Sequence, residues 1–301
     1  MKTMMKKTKK SVFMSERNLA YKIMTVPGVL LYTFFFVFPI CLGIYYSFTN
    51  WNGIGKSYDF IGLNNFTKIL HSKIYLSTLA FTIKYSVILV IGTVVLGMIL
   101  ALLLNNKIKG RSFFRTVYFL PAILSMITVS LIFNQIFYRI IPKIGEGLNI
   151  DVLSYNILAN ENLAMWGILF VHIWQGVALP TLLFLAGLQT IPEELLESAS
   201  IDGANGLHRF FCIKFPYLLP TLSVVLVLSL KSGLNVFDYI KSLTEGGPGG
   251  VTKSIALLIY DHGFVQHKYS YSIAEAIITG ILIALISAIQ IKITNKKKVE
   301  V

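Results

Sequence analysis

Six uninterrupted apolar stretches constrain this chain more than any motif within it. They cover residues 26–48, 85–104, 117–137, 163–187, 218–240 and 273–291. Each is close to the roughly 20 apolar residues a helix needs to cross a bilayer. Hydrocarbon offers no partner to a backbone N–H or C=O, and a helix satisfies both within itself. The fold class that follows is all-α: a polytopic membrane protein with six transmembrane helices. The first four stretches contain no Lys, Arg, Asp or Glu, whereas the fifth holds Lys231 and Asp238 and the sixth has Glu275 near its start. Only 14% of the 301 residues are charged, against about 25% in an average soluble domain. The first stretch follows a basic region. It is longer than the apolar part of a signal peptide, about 7–15 residues, and no small-x-small cleavage site follows it, so it reads as an uncleaved span.

Orientation follows from the placement of Lys and Arg. With the N-terminus inside, the inner segments carry 17 of them and the outer segments 9. Both termini are therefore expected in the cytoplasm. This bias also accounts for most of the net charge of +13. The lysines of residues 2–10 and 296–298 read as anchors at anionic lipid headgroups, and nucleic acid is not an expected partner. Cys41 lies in a span and Cys212 in a polar segment. Their depths differ, so no disulfide is implied.

The outer segments have their own signatures. Residues 51–78 mix aromatics with Gly and Asn, and Trp51 and Tyr58 suit the aromatic belt at the membrane surface. TEGGPGG at 244–250 is a turn, and 254–264 reads as a short interfacial helix. TEGGPGGVTKS superficially resembles a phosphate loop, but Thr252 stands where that loop requires Gly before the Lys. His71, His172, His208, His262 and His267 are scattered without metal-ligand spacing. No Gly-x-Ser-x-Gly elbow occurs. An enzyme is not expected.

Polar groups inside the spans are the candidates for solute contact. An ion at mid-bilayer costs at least about 2.5–3.5 kcal/mol, so it faces a cavity or a partner. Lys231 and Asp238 are seven apart, which on one helix puts them on one face about 10.5 Å apart. They read either as structural charges or as pathway lining. Ser229, Ser232, Gly233 and Asn235 add small and polar groups to the same span. His172, Trp174, Gln175 and Gly176 form a polar–aromatic cluster in span four, suited to a sugar ring and its hydroxyls; Trp174 and Gly176 suit helix packing equally. Ser229, Ser232, Gly233 and Val236 share one face of a continuous helix, as do His172, Gly176 and Leu179.

The polar interruption at 190–220 is the only long one that reads as ordered. Thr190 can cap a helix, with Glu193 at the capping-box spacing and Pro192 in the first turn. Glu193, Glu194 and Glu197 favour the N-terminal dipole. Asp202-Gly203-Ala204 breaks the run. Leu207, Phe210, Phe211 and Lys214 then recur at helical spacing, giving a second short helix that Pro216 and Pro220 close.

This hairpin is similar to a known element. Glu197-Ser198-Ala199, Gly203 and then Ile213-x-Phe215-Pro216 resemble the EAA loop of bacterial ABC importer permeases, with Ser198 for an Ala and Phe215 for a Leu. FIGLNNF at 60–66, FFRTVYFLPAILS at 113–125, IDGA at 201–204, NVFDYIKSLTEGGPG at 235–249 and SYSIAEA at 270–276 resemble the carbohydrate-importing branch, in the subunit type of the maltose and glycerol-phosphate permeases. The resemblance implies a type I ABC importer permease fold in a bacterial cytoplasmic membrane. It divides the chain into a basic tail at 1–25, a first helix and outer loop at 26–78, a permease core at 79–292 containing the loop at 190–216, and a basic tail at 293–301. It implies a second permease as partner in a heterodimer, two ABC ATPase subunits, an extracytoplasmic solute-binding protein and membrane lipid. ATP and Mg belong to the ATPases, and this chain is expected to bind no cofactor. Glu197, Ser198, Ala199, Asp202, Gly203, Ala204, Ile213 and Pro216 become the coupling residues, with Leu195, Leu207 and Phe210 as an apolar docking face. The spans flanking the loop become the wall of the solute pathway. The expected solute is a sugar or sugar-like compound. Glycerol phosphate or another polyol within the same family, and an ATP-independent transporter or channel outside it, are the competing readings.

Overall fold

The computed structural model describes residue 21, residues 23–106 and residues 110–295. Most of the basic tails expected at 1–25 and 293–301, including the lysines at 2–10 and 296–298, lies outside the described residues. Twelve helices organise what is described: α1 (Ile23–Ser47), α2 (Asn64–Leu70), α3 (Lys73–Asn105), α4 (Arg111–Ile123), α5 (Met126–Leu148), α6 (Ala164–Gly176), α7 (Ala178–Leu188), α8 (Glu193–Ile201), α9 (Gly206–Leu234), α10 (Asp238–Leu243), α11 (Ile255–Val265) and α12 (Tyr269–Asn295). Among the described residues the only β pairing outside named strands is the bridge between Thr49 and Phe60. α1, α3, α9 and α12 are each long and apolar enough to cross a membrane; counting each of the bent pairs α4–α5 and α6–α7 as one span brings the number to six.

α3 is the central post, packed against α7, α9, α6 and α11. Its inward stripe, which includes Thr78, Thr82, Ser86, Thr93, Gly97 and Ala101, is buried, while Ile83, Val87, Ile91, Val95 and Ile99 point outward and are exposed. This polarity suits a lipid surround, where hydrocarbon gives apolar side chains no reason to turn inward and close packing of small residues holds helices together. A Cβ at Gly97 would stand 2.9 Å from Cβ of Pro180, and one at Gly233 would stand 2.8 Å from Cα of Ser86. The Thr93 hydroxyl donates to Ser229 Oγ at 3.1 Å across the same α3–α9 seam.

Prolines explain where the helices bend and where they do not. α4 and α5 meet at 101°. Pro121 sits inside α4, and Leu124 and Ser125 are extended, so the expected span 117–137 is two helices rather than one. α6 and α7 meet at 43°, because Pro180 cannot donate to the carbonyl four residues earlier and its ring crowds that position. Other prolines leave their helices unbroken. Pro39, Pro142 and Pro216 each follow a single π turn, at Thr33–Val37, Ile136–Ile140 and Phe210–Lys214. In each case the residue before the proline donates to the carbonyl five positions back. The widened turn gives the ring room.

α9 therefore departs from expectation. The second arm of the hairpin is not a separate helix closed by Pro216 and Pro220; it is the first part of a 29-residue helix that runs through both. That helix stops at Leu234, and Asn235–Phe237 are non-helical before α10 begins at Asp238. The expected span 218–240 is overrun at its start and cut short at its end. Lys231 and Asp238 consequently do not share a helix.

The buried Asn65 amide donates to the carbonyl oxygens of Ser47 and Thr49, at 2.8 and 2.9 Å. It fastens α2 to the end of α1. α11 is more buried than an interfacial helix, with Ile255, Leu257 and Leu258 inside. Trp51 stacks on Tyr46 with ring centroids 4.4 Å apart.

Candidate functional site

The hairpin is built by backbone chemistry. α8 starts after Pro192, which is extended and provides no side-chain cap; the Thr190 hydroxyl donates backward to the Gly187 carbonyl and does not cap α8. Its other end is a Schellman turn. Ala204 N–H bonds the Ala199 carbonyl at 2.9 Å and Gly203 N–H bonds the Ser200 carbonyl at 3.2 Å, with Gly203 at φ +78° as this motif requires. Asn205 caps α9 by accepting from the His208 N–H at 2.8 Å. Arg209 donates to Ser200 Oγ at 2.7 Å, tying the two arms together. Neither Asn205 nor Arg209 was singled out by the sequence, although Asn one residue before a helical Gly is a cap signal.

The coupling candidates divide by where they face. Glu197, Ser198, Asp202 and Gly203 are exposed at the tip, and Ala199 and Ala204 are half-buried beside them. Ile213 and Pro216 sit higher on α9, and Ile213 packs against the inner core with Leu196 and Phe210. Phe210, expected with Leu195 and Leu207 on an exposed apolar face, is half-buried as a foot of the hairpin. Ile201, Leu207 and Phe211 supply the exposed apolar surface, together with Leu195.

The span-four candidates form a buried network. His172 accepts or donates through Nδ1 to the Tyr85 hydroxyl and through Nε2 to Ser232 Oγ, both at 2.9 Å. Its ring stacks on Tyr239 with centroids 4.2 Å apart. The Tyr239 hydroxyl donates to Gln175 Oε1 at 2.9 Å. Gln175 Nε2 in turn donates to the carbonyl oxygens of Pro121 and Leu124, at 3.1 and 2.8 Å, at the break between α4 and α5; the Pro121 oxygen also accepts from the Leu124 N–H at 3.2 Å. Buried polar groups are held this way because leaving one unpaired costs more than the bond yields. Trp174 turns away, its ring edge-on to Phe133. Gly176 is half-buried, with a His172 ring carbon 3.6 Å from where its Cβ would stand. The common face expected for His172, Gly176 and Leu179 is broken by the bend at Val177, and Leu179 is exposed while His172 is buried.

A cavity of about 300 Å³ opens beside this network. The end of α9 contributes Leu228, Lys231 and Ser232; the link and α10 contribute Asn235, Val236, Phe237, Asp238 and Tyr239; α5 contributes Met126 and α6 contributes His172. Of the span-five candidates, Lys231, Ser232 and Asn235 therefore border the cavity, Val236 lies between it and the core, and Ser229 and Gly233 are buried against α3. Asp238 and Phe237 join the site only because the helix ends at Leu234, which periodicity had no means of showing.

A second polar cluster ties α11 to α12. Glu275 is fully buried and both its oxygens lie within 2.9 Å of His262 Nδ1. Lys253 donates to Asp261 Oδ2 at 2.6 Å. No group of three His, Cys, Asp or Glu side chains is arranged to hold a metal among the described residues.

Comparison with known proteins agrees with this architecture. Residues 93–298 match the family model described as binding-protein-dependent transport system inner membrane component. The multiple sugar-binding transport system permease protein MsmF of Streptococcus mutans is 43% identical over 279 residues, 93% of this chain and 96% of that protein. The sn-glycerol-3-phosphate transport system permease protein UgpA of Agrobacterium fabrum is 30% identical, over 95% and 98% of the two chains. A solved bacterial ABC transporter involved in import of the acidic polysaccharide alginate superimposes with a TM-score of 0.80 over 93% of this chain and 96% of that one, at 20% identity. That likeness is one of fold.

Proposed function

This chain belongs to the family of binding-protein-dependent transport system inner membrane components, and from that premise we propose that it is the permease subunit of an ATP-driven importer for a sugar or sugar-like solute. An extracytoplasmic binding protein delivers the solute. A second permease completes the pathway, and two ABC ATPases, carrying ATP and Mg, drive it; this chain binds neither. Both termini and the hairpin lie in the cytoplasm. The sugar assignment is supported by the 43% identity to a sugar-transport permease and by a cavity whose lining includes hydroxyl, amide and aromatic groups beside Lys231, Asp238 and aliphatic side chains.

The observation that carries the mechanism is the continuity of α9. Its first turn is an arm of the exposed hairpin and its last turn, with Lys231 and Ser232, is a wall of the cavity. Twenty-nine residues at 1.5 Å each make a rod of roughly 43 Å. An ATPase that grips the tip moves the cavity wall directly. The ATPases can shift the equilibrium between inward- and outward-open states only through contacts that differ between them, and the hairpin tip is where such contacts would form. Glu197, Ser198, Ala199, Asp202, Gly203 and Ala204 make the tip; Ile213 and Pro216 join it to the span.

Reconstitution tests this reading. The chain, its partner permease, the ATPases and the binding protein in proteoliposomes should accumulate a neutral oligosaccharide only with ATP in the ATPase compartment. Equal accumulation with ATP omitted, or with the ATPases left out, refutes it in favour of an ATP-independent carrier.

A further inference from the structure

The relatives and structural neighbours of this chain include transporters named for a neutral-sounding sugar, for a phosphate ester and for an acidic polysaccharide. The cavity beside α9 distinguishes between these classes. Lys231 and Asp238 are its only formally charged lining residues. They reach it from different elements, α9 and α10, and no ion pair joins them among the described residues. Lys253, which does not line the cavity, is paired with Asp261 at 2.6 Å.

We infer that this cavity takes an uncharged polyhydroxy solute and turns away anionic ones, with Asp238 as the excluding group. The inference rests on the pathway reading given above. A hydroxyl both donates and accepts, so one solute with several hydroxyls satisfies the Lys231 ammonium, which only donates, and the Asp238 carboxylate, which only accepts. A phosphate or uronate offers acceptors to Lys231 and brings its charge beside Asp238. The buried His172–Tyr239 pair and half-buried Phe237 wall one side, so water screens that repulsion less than in bulk. Phe237 adds a ring for the C–H face of a sugar. A volume of about 300 Å³ lies at the small end of the pockets that hold small molecules, about 300–1,000 Å³, so the cavity encloses one residue of a longer saccharide.

Cysteine protection tests the inference without the binding protein, whose own selectivity would mask it. The assembled importer is placed in nanodiscs with Cys41 and Cys212 replaced by Ser. Leu228→Cys on α9 and Met126→Cys on α5 report from opposite walls; neither supplies a polar contact, and each controls for misfolding of the other. Maleimide labelling is timed with a pool of glucose, sucrose, lactose and maltotriose, with a pool of sn-glycerol 3-phosphate, glucose 6-phosphate and trigalacturonate, and with glycine betaine. The neutral pool should slow labelling at both reporters about tenfold more than the anionic pool or betaine. Asp238→Asn should let the anionic pool protect, because Lys231 is then unopposed. Anionic protection of the wild-type chain, protection by betaine, or no gain of anionic protection in Asp238→Asn overturns the inference and leaves the pathway reading standing. No protection by any pool at either reporter overturns the pathway reading, and the inference with it.

Discussion

Gly203 holds the hairpin turn at φ +78°, and a Cβ built there meets nothing within 4 Å. Backbone strain and surface contact can therefore be separated by substitution. Alanine costs about 1–2 kcal/mol for the left-handed conformation and adds a single methyl to open space. Aspartate tolerates that conformation better, so it strains the turn less, but it adds bulk and a charge at the tip. If Gly203 served the fold alone, Gly203→Ala would be the more damaging change. If the tip docks closely on an ATPase, Gly203→Asp is.

Two readouts resolve the two effects. Hydrogen exchange at the Ala204 amide, which closes the Schellman turn on the Ala199 carbonyl, reports strain. Gly203→Ala should speed it about 5- to 30-fold, the factor that corresponds to 1–2 kcal/mol, and Gly203→Asp should speed it less. Retention of the ATPases on the purified permeases reports docking. Gly203→Asp should lower their affinity at least about tenfold, or about 1.4 kcal/mol, and Gly203→Ala should lower it less. The foot of the hairpin, Leu196 and Phe210, packs on the core in either variant, so the loss is confined to the tip. If ATPase retention follows the exchange rates, with Ala worse than Asp, the tip is only a turn and the docking argument fails.

Three further outcomes follow from the packing. Gly233→Ala places a Cβ 2.8 Å from Cα of Ser86, a backbone atom that no rotamer change moves. Overpacking of about 1–3 kcal/mol should lower the melting temperature and ATP-driven uptake, whereas Gly280→Ala, with open space around it, should raise stability by up to about 1 kcal/mol through helix propensity; equal melting curves for the two would refute the close α3–α9 contact. Gln175→Leu strips its partner from the Tyr239 hydroxyl and removes the amide that bonds the Pro121 and Leu124 carbonyls; at about 1–3 kcal/mol for each buried group left unsatisfied, it should destabilise the chain visibly in a thermal unfolding assay. His262→Leu leaves the Glu275 carboxylate buried without its imidazole, a change worth about 3–5 kcal/mol; adding Glu275→Gln should recover most of the loss, and failure to recover would show that the pair is not what holds α11 to α12.

How much of this was legible in the sequence depends on the scale. The six apolar runs lie in helices that cross or nearly cross a membrane thickness, and the Gly203 break and the spacing from Glu197 to Pro216 mark the hairpin. Hydropathy failed at helix ends and breaks, because these depend on backbone partners and not on side-chain polarity. The break at Leu124 needs an acceptor-satisfying amide, and Gln175 lies 51 residues away. Pro216 reads as a terminator by rule, yet the π turn before it lets α9 continue. Asp238 reads as part of the fifth span, on one helix face with Lys231, yet it begins α10 and lines a cavity. The pathway candidates differ in surroundings: Lys231, Ser232, Asn235 and one edge of His172 border the cavity, while Gln175 and Ser229 are hydrogen-bonded in the interior and Gly233 lies against Ser86. That division is invisible when all of them are placed on one face.

The continuity of α9 has a consequence that a detached hairpin would not have. Lys231 rides on α9, but Asp238 does not. α10 is fixed elsewhere, through Asn134 of α5 donating to the Leu243 carbonyl at 3.0 Å and through the Tyr239–Gln175 bond to α6. A push along α9 therefore changes the spacing of the two charges across the cavity, and with it the fit of any solute between them, while non-helical Asn235–Phe237 absorb the displacement. Spin labels distinguish this from a helix that yields at its wide turn. Labels at positions 207 and 228, both on α9 and 21 residues apart in the chain, should stay roughly 32 Å apart along the axis with and without nucleotide in the assembled importer. Labels at 228 and 126, on α9 and α5, should move relative to each other. If instead the 207–228 distance changes and the 228–126 distance is constant, α9 bends at Phe210–Lys214, and the work done at the hairpin is lost before it reaches the cavity.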